Sequence, residues 1–199
     1  EFHNLKGRQK NAQIADGGLS FYNTSVEISH SSFNNIKAKD AINFIKSNYT
    51  IEHCRFNKIN GDAIDANNSV GKLTDLEFNT VGKDALEFSG GTASIRNVSI
   101  DNANASGINS SRNAIIECSE ILSIANSKTG IKASDLASVK LDQTQLKNVE
   151  NGFVLYQDLA NYGGANLTVK KYEGENVNSL HKMDNSSKLE INGKTISAN

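Results

Sequence analysis

Proline is absent from this 199-residue chain, and cysteine is nearly so, with only Cys54 and Cys118. A chain without proline never interrupts a hydrogen-bonded ladder. The two cysteines lie far apart, with neither a CxxC spacing nor companion ligands, which argues against a metal cluster or redox pair. They read as small buried fillers, and no disulfide between them is expected. Charge of one sign is missing as well: 21 Lys and Arg stand against 22 Asp and Glu, a net charge of -1. Such a balance gives no field to attract nucleic acid or anionic lipid, so nucleic-acid binding is not expected. No apolar run approaches the ~18 residues of a membrane span, and with 37% hydrophobic residues and a mean hydropathy of -0.46 the chain reads as soluble. The opening stretch EFHNLKGRQKNAQ lacks an initiating methionine and is too polar for the centre of a signal peptide. The expectation is a processed chain or a domain taken from a larger one.

What is present is a repeat. Asp40-Ala41-Ile42, Asp62-Ala63-Ile64 and Asp84-Ala85-Leu86 recur at intervals of 22, and Ser106-Gly107-Ile108, Thr129-Gly130-Ile131 and Asn151-Gly152-Phe153 follow at 22, 23 and 22. Three apolar columns keep step with this series. The first is Ile28, Ile51, Leu73, Ile95, Ile116 and Leu141; the second is Phe33, Phe56, Phe78, Ile100, Ile121 and Leu146; the third is Ile36, Ile59, Val81, Ala103, Ile124 and Val149. All three share the steps 23, 22, 22, 21 and 25, which places the insertions between columns.

The apolar residues come in short groups such as IxxCxF and AIxF, not at the i, i+3, i+4, i+7 spacing of helices, so the repeats are built of strands. Strands of two to five residues between Asn, Gly, Asp and Ser turns cannot bury a face alone, whereas stacked coils rising ~4.8 Å each bury one continuous interior. The leucine-rich pattern LxxLxLxxN is absent, and propeller blades are longer. The reading is an all-β, right-handed parallel β-helix of about seven to eight coils with a roughly 22-residue repeat. It forms a single domain over 1–199: residues 1–16 are an N-terminal cap or partial coil, 156–166 an inserted loop and 187–199 the C-terminal edge.

GDAIDANNSVGKLTDLEFNTVGKDALEFSGG at 61–91 resembles the GDA[IL]D repeats of bacterial right-handed β-helix proteins, whose relatives include pectate lyases, alginate epimerases and surface proteins of unassigned chemistry. GIKASDLASV at 130–139, VLYQDLANYGGANLTV at 154–169 and SKLEINGKTI at 187–196 look like the β-helix tail of secreted bacterial proteins with CotH-type kinase modules. The resemblance covers nearly the whole chain and implies a fold far more than an activity. No kinase module is present, and no residue matches the catalytic arginine or lysine arrangement of a lyase.

The column Asp40, Asp62, Asp84, Ser106, Thr129, Asn151 accepts the residue types that hydrogen-bond turns, and reads as a capping ladder. The next outward column is Asn43, Asp65, Glu87, Asn109, Lys132, Val154. There Asp65 and Glu87 join Asp62 and Asp84 in an acidic face, expected to be solvated and to bind Ca²⁺ weakly through oxygens from two coils. A third column, His30, His53, Asp75, Asn97, Cys118 and Gln143, raises transition-metal binding. Zinc needs three or four converging ligands and a flat ladder offers at most two neighbours, so turn histidines are expected. Arg55 and Glu77, one coil apart, form a cross-strand ion pair. Tyr156 and Tyr162, with Tyr172, cluster at the inserted loop, where they serve either as a sugar-stacking platform or as core filler.

The function expected from these features is a non-catalytic extracellular or cell-surface β-helix, a rigid spacer or a module that binds polysaccharide or a surface protein, without a cofactor other than calcium. The alternative is a polysaccharide-active lyase, epimerase or hydrolase working from the acidic face.

Overall fold

The computed structural model describes residues 1–6, 8–10, 13–15 and 17–198. Its architecture is a parallel β-solenoid of about eight turns at roughly 22-residue spacing, with no helix among the described residues. Each turn contributes one rung to each of three parallel faces. Face A carries the Asp-Ala-Ile repeat. Its rungs are Gly17–Tyr22, Asp40–Ile45, the starts of Asp62–Val81 and Leu86–Ala103, Ser106–Ser111, Thr129–Ser134, and the ends of Ser138–Tyr156 and Asn166–Met183. Face B begins with Ser25–Ser29 and finishes with Lys188–Ile191. Face C begins with Phe2–His3 against Ser32–Ile36. At the C-terminal edge the direction reverses, and Lys194–Ile196 pairs antiparallel with Lys188–Ile191. Residues 8–10 and 13–15 form a small separate antiparallel pair.

The strands are longer than the two to five residues expected, reaching 20 in Asp62–Val81. The reason is the corner chemistry. In the first five coils the chain turns between faces B and C on one left-handed residue, His30, His53, Asp75, Asn97 and Glu120, with φ of 47, 52, 53, 51 and 63°. Between faces C and A the same role falls to Asn4, Asn35, Lys58, Thr80 and Asn102, and further on to Asn126, Asn148 and Asn176. Asparagine tolerates this conformation better than most residues because its short amide bonds locally. These amides also bond from rung to rung, Asn148 Nδ2 to Asn126 Oδ1 at 2.9 Å and Asn176 Nδ2 to Asn148 Oδ1 at 3.0 Å. Between faces B and C this single-residue corner redirects the chain without ending the strand, as in Asn48–Ile59, Asp62–Val81, Leu86–Ala103 and Ile115–Ala125.

Inside, each column stacks on itself. Phe2, Phe33, Phe56 and Phe78 form a pile with successive centroids 4.8 Å apart and planes within 12°, a spacing equal to the coil rise. Ile51, Phe56, Ile64, Phe78, Leu86 and Ile95 are buried as expected. Cys54 and Cys118 are buried free thiols. Arg55 Nε donates to Glu77 Oε2 at 2.8 Å.

Beyond Ile100 the expected register fails. Cys118, not Ile116, lies opposite Ile95 and Leu141, and Ile124, not Ile121, lies opposite Ile100 and Leu146. Ile116 faces Ala93 and Val139 in a neighbouring interior column. Ile124 therefore leaves the Val81–Ala103 column, and Ile121, expected in the core, is 41% exposed. The cause is a bulge: Arg96 pairs with Ser119 and Val98 with Leu122, so Glu120 and Ile121 must bulge outward where the adjacent rung has Asn97 alone. Glu120 then takes the left-handed corner that had been given to Cys118.

Candidate functional site

The outward side chains of face A line a groove of about 980 Å³. Alternation along each rung sends Ile64 and Ala66 inward and Asp65 and Asn67 outward. The outward column Asn43, Asp65, Glu87, Asn109, Lys132, Val154 is in register as the sequence indicates. Lys39 and Lys83 rise along one wall; Arg112, Asp135, Asp158 and Leu159 make the other. The inserted segment, which leaves the ladder after Tyr156 and rejoins it at Asn166, builds part of that second wall. Asp135 Oδ1 accepts from the Asp158 and Leu159 amides at 2.8 and 2.9 Å and so fixes the segment against the groove.

These walls change the acidic face from the open patch expected of it. Asp62 and Asp65 are 1% and 7% exposed, Asp84 is 7% exposed and Glu87 is partly buried. Asp40, at 0%, sits beneath them. Strand alternation gives the direction of a side chain, whereas its solvation depends on neighbouring rungs ~4.8 Å away. Asp65 is held on both oxygens, by Asn43 Nδ2 at 2.8 Å and Asn67 Nδ2 at 2.7 Å. Asp62 accepts from the Asp84 amide at 2.9 Å and pairs with Lys83 Nζ at 3.4 Å. The first of these bonds is the capping role expected for the column. Asp84 takes Asn109 Nδ2 on Oδ2 at 2.9 Å, while its buried Oδ1 has no partner among the described residues.

One oxygen each from Asp62, Asp84 and Glu87 lies within 4.8 Å of the others. Crowding and burial push protons onto this group. Glu87 is raised to about 8, first by burial and then by the charges of Asp62, Asp65 and Asp84 and a hydrogen bond to Asp62. Asp40 is raised to about 7 by burial and by Asp65 and Asp62, and Asp65 to about 6 by burial and Asp62. Burial also raises Asp84, against the opposing bond from Asn109.

Two tyrosines mark the ends of the groove. Tyr156 lies in the wall with Lys132 Nζ 5.5 Å from its ring centroid. Tyr22, 67% exposed, stands at the opposite end. Sequence reasoning missed Tyr22, although extending the face A register back one coil pairs it with Ile45. Tyr162 does not line the groove; its amide donates to Leu159 O at 3.0 Å inside the inserted segment. Tyr172 packs edge-on against Phe153 as partly buried core.

The chain matches no known family pattern, no curated protein and no solved structure.

No described helix is long and apolar enough to cross a membrane.

Proposed function

We propose that this chain is a non-catalytic, extracellular or cell-surface β-helix module that holds an extended polysaccharide along face A. The observation that carries this reading is the groove itself, whose lining runs from Tyr22 to Tyr156 over seven rungs, ~29 Å at the coil rise. Its floor offers amides, hydroxyls and both signs of charge, suited to the hydroxyls of a sugar chain, and its two ends offer aromatic faces for stacking. The resemblance of the repeat to secreted bacterial β-helix tails is what suggests the extracellular placement. A glycan array is the test. Its hits should lose at least tenfold in affinity in a Tyr22→Ala, Tyr156→Ala double variant that melts like the parent. Hits unaffected by the double variant would remove the groove from the binding.

A second reading, a polysaccharide-active hydrolase, lyase or epimerase, is favoured by one feature. Glu87 keeps its proton to about 8 beside Asp62, the arrangement of a general acid next to a second carboxyl. Product analysis on the array hits separates the two readings: shortened, unsaturated or epimerised chains mean an enzyme, and unchanged chains mean a module.

Calcium belongs to the same reading. Asp62, Asp84 and Glu87 present three hard oxygens, with Asp84 Oδ1 unpartnered, and Ca²⁺ takes such ligands with water completing its shell. At pH 8, millimolar Ca²⁺ is expected to raise the melting temperature by mass action. An Asp84→Asn, Glu87→Gln variant should lose that rise, and an equal rise in the variant would place the ion elsewhere.

A further inference from the structure

The corner between faces B and C carries side chains that the groove does not use. On three successive coils it reads His30, His53 and Asp75, all in the left-handed conformation. The His30 and His53 rings are 4.9 Å apart between centroids, with planes inclined at 38°, and both residues are exposed. His53 Nδ1 lies 3.3 Å from Asp75 Oδ2. Asp75 Oδ1 is occupied by Asn97 Nδ2 at 2.7 Å. The carboxylate is thus held from the far side and turned toward the imidazole.

The arrangement matches the carboxylate–histidine half of a metal site. A ligating histidine commonly donates its second ring N–H to a carboxylate, which fixes the tautomer and leaves the other nitrogen's lone pair free. Asp75 Oδ2 faces Nδ1 of His53, which leaves Nε2 to offer its lone pair, and His30 on the preceding coil brings a second imidazole alongside. A metal at ~2.1 Å from one nitrogen of each ring would lie about 3.2 Å from both centroids. With the centroids 4.9 Å apart, the two bonds would then meet at about 100°, compatible with tetrahedral coordination. Rotamer adjustments on exposed side chains take place in picoseconds to nanoseconds, so turning both nitrogens toward one point is fast. Both oxygens of Asp75 are engaged, which makes it a positioning residue and not a third ligand.

We propose that His30 and His53 form a two-imidazole site for a divalent transition-metal ion of the zinc type, oriented by Asp75, with water completing the shell. Two imidazoles are fewer than the three or four protein ligands of a structural or catalytic zinc site, so the ion is held weakly and water occupies its remaining positions. The corner adds the orienting carboxylate. The site lies on the corner away from the face A groove and stands independently of what that groove binds.

The test is a Zn²⁺ titration of the whole chain followed by NMR of the assigned histidine rings, with His3 and His181 as internal controls. His30 and His53 should respond together with one dissociation constant. Asparagine holds this same corner at Asn97, with φ of 51°, so His30→Asn and His53→Asn should fold like the parent and abolish the joint response. Asp75→Asn should keep both ligands and weaken binding by roughly 10- to 100-fold. A response confined to His3 or His181, or separate constants for His30 and His53, would overturn the site. Unchanged affinity in Asp75→Asn would overturn the positioning role, because a carboxylate that merely braces the corner would not move a metal constant.

Discussion

Replacing Phe56 by alanine is expected to remove about 3–5 kcal/mol of stability, the usual cost of emptying a fully buried phenylalanine site. Phe56 is 0% exposed and lies between Phe33 and Phe78, with centroids 4.8 Å away on either side and planes 3° and 11° from its own. Two aromatic contacts, each worth about 0.5–1.5 kcal/mol beyond buried area, disappear with the ring. Neighbouring coils are tied by ladders on all three faces, so they cannot close onto the gap. For a domain of this size the melting temperature should fall by roughly 2–4 °C per kcal/mol, or about 10 °C in all. Ile121→Ala is the matched control: its side chain is 41% exposed on the bulge, and the change should stay within about 0.5 kcal/mol. Chemical denaturation followed by circular dichroism measures both. Equal losses at the two positions would contradict the interior register.

Stability should also fall as pH rises, the reverse of what paired carboxylates usually produce. Glu87 goes from 4.5 to about 8 on folding, Asp40 from 3.8 to about 7 and Asp65 from 3.8 to about 6. A carboxyl with a raised folded pKa keeps its proton while the unfolded chain ionises, so between the two values the folded state binds more protons. The slope of unfolding free energy with pH follows protons bound in the unfolded state minus those in the folded state, and is negative here. Stability should therefore be greatest near pH 4 to 5, decline through neutrality and level off above about 8. Glu87 accounts for a decline on the order of 3–5 kcal/mol. The parts due to Glu87 and Asp40 do not simply add, because both bond to Asp62. Glu87→Gln removes the titrating group while its amide still donates to Asp62. It should leave stability at pH 5 nearly unchanged and raise it at pH 8 by on the order of 2–4 kcal/mol. A flat profile in the parent, or a variant that tracks the parent across the range, would show the cluster to be better solvated than its burial indicates.

The two parts of the molecule differ in how far they can be read from sequence. The Asp-Ala-Ile series and the outward column through Asp65, Glu87 and Lys132 can be read because a period near 22 and strand alternation fix both which coil and which side. Past Ile100 the apolar residues Ile116, Ile121, Leu122 and Ile124 offer two registers, and hydrophobicity does not choose between them. The choice is made by the corner, where Glu120 stands in a column otherwise filled by histidine, aspartate and asparagine. At the site, alternation states that Asp65 and Glu87 leave the core. It does not state that Lys39, Lys83 and a segment pinned by Asp135 wall them in, since concavity depends on how the turns and loops of several coils stand beside the face. The raised carboxyls follow from that concavity.

The one-residue corners bear on how the molecule comes apart. Since the strands from Asn48–Ile59 to Ser138–Tyr156 run unbroken around the corner between faces B and C, a coil has little slack there, and its contacts are made almost wholly with the coils above and below. Such a molecule approximates a one-dimensional stack, in which stability is a sum over coils and the interfaces between them. Separation then starts where a coil has a single neighbour and advances along the axis as a zipper does. A damaged coil in mid-stack divides the array into two shorter ones, each still ordered on its own side of the break.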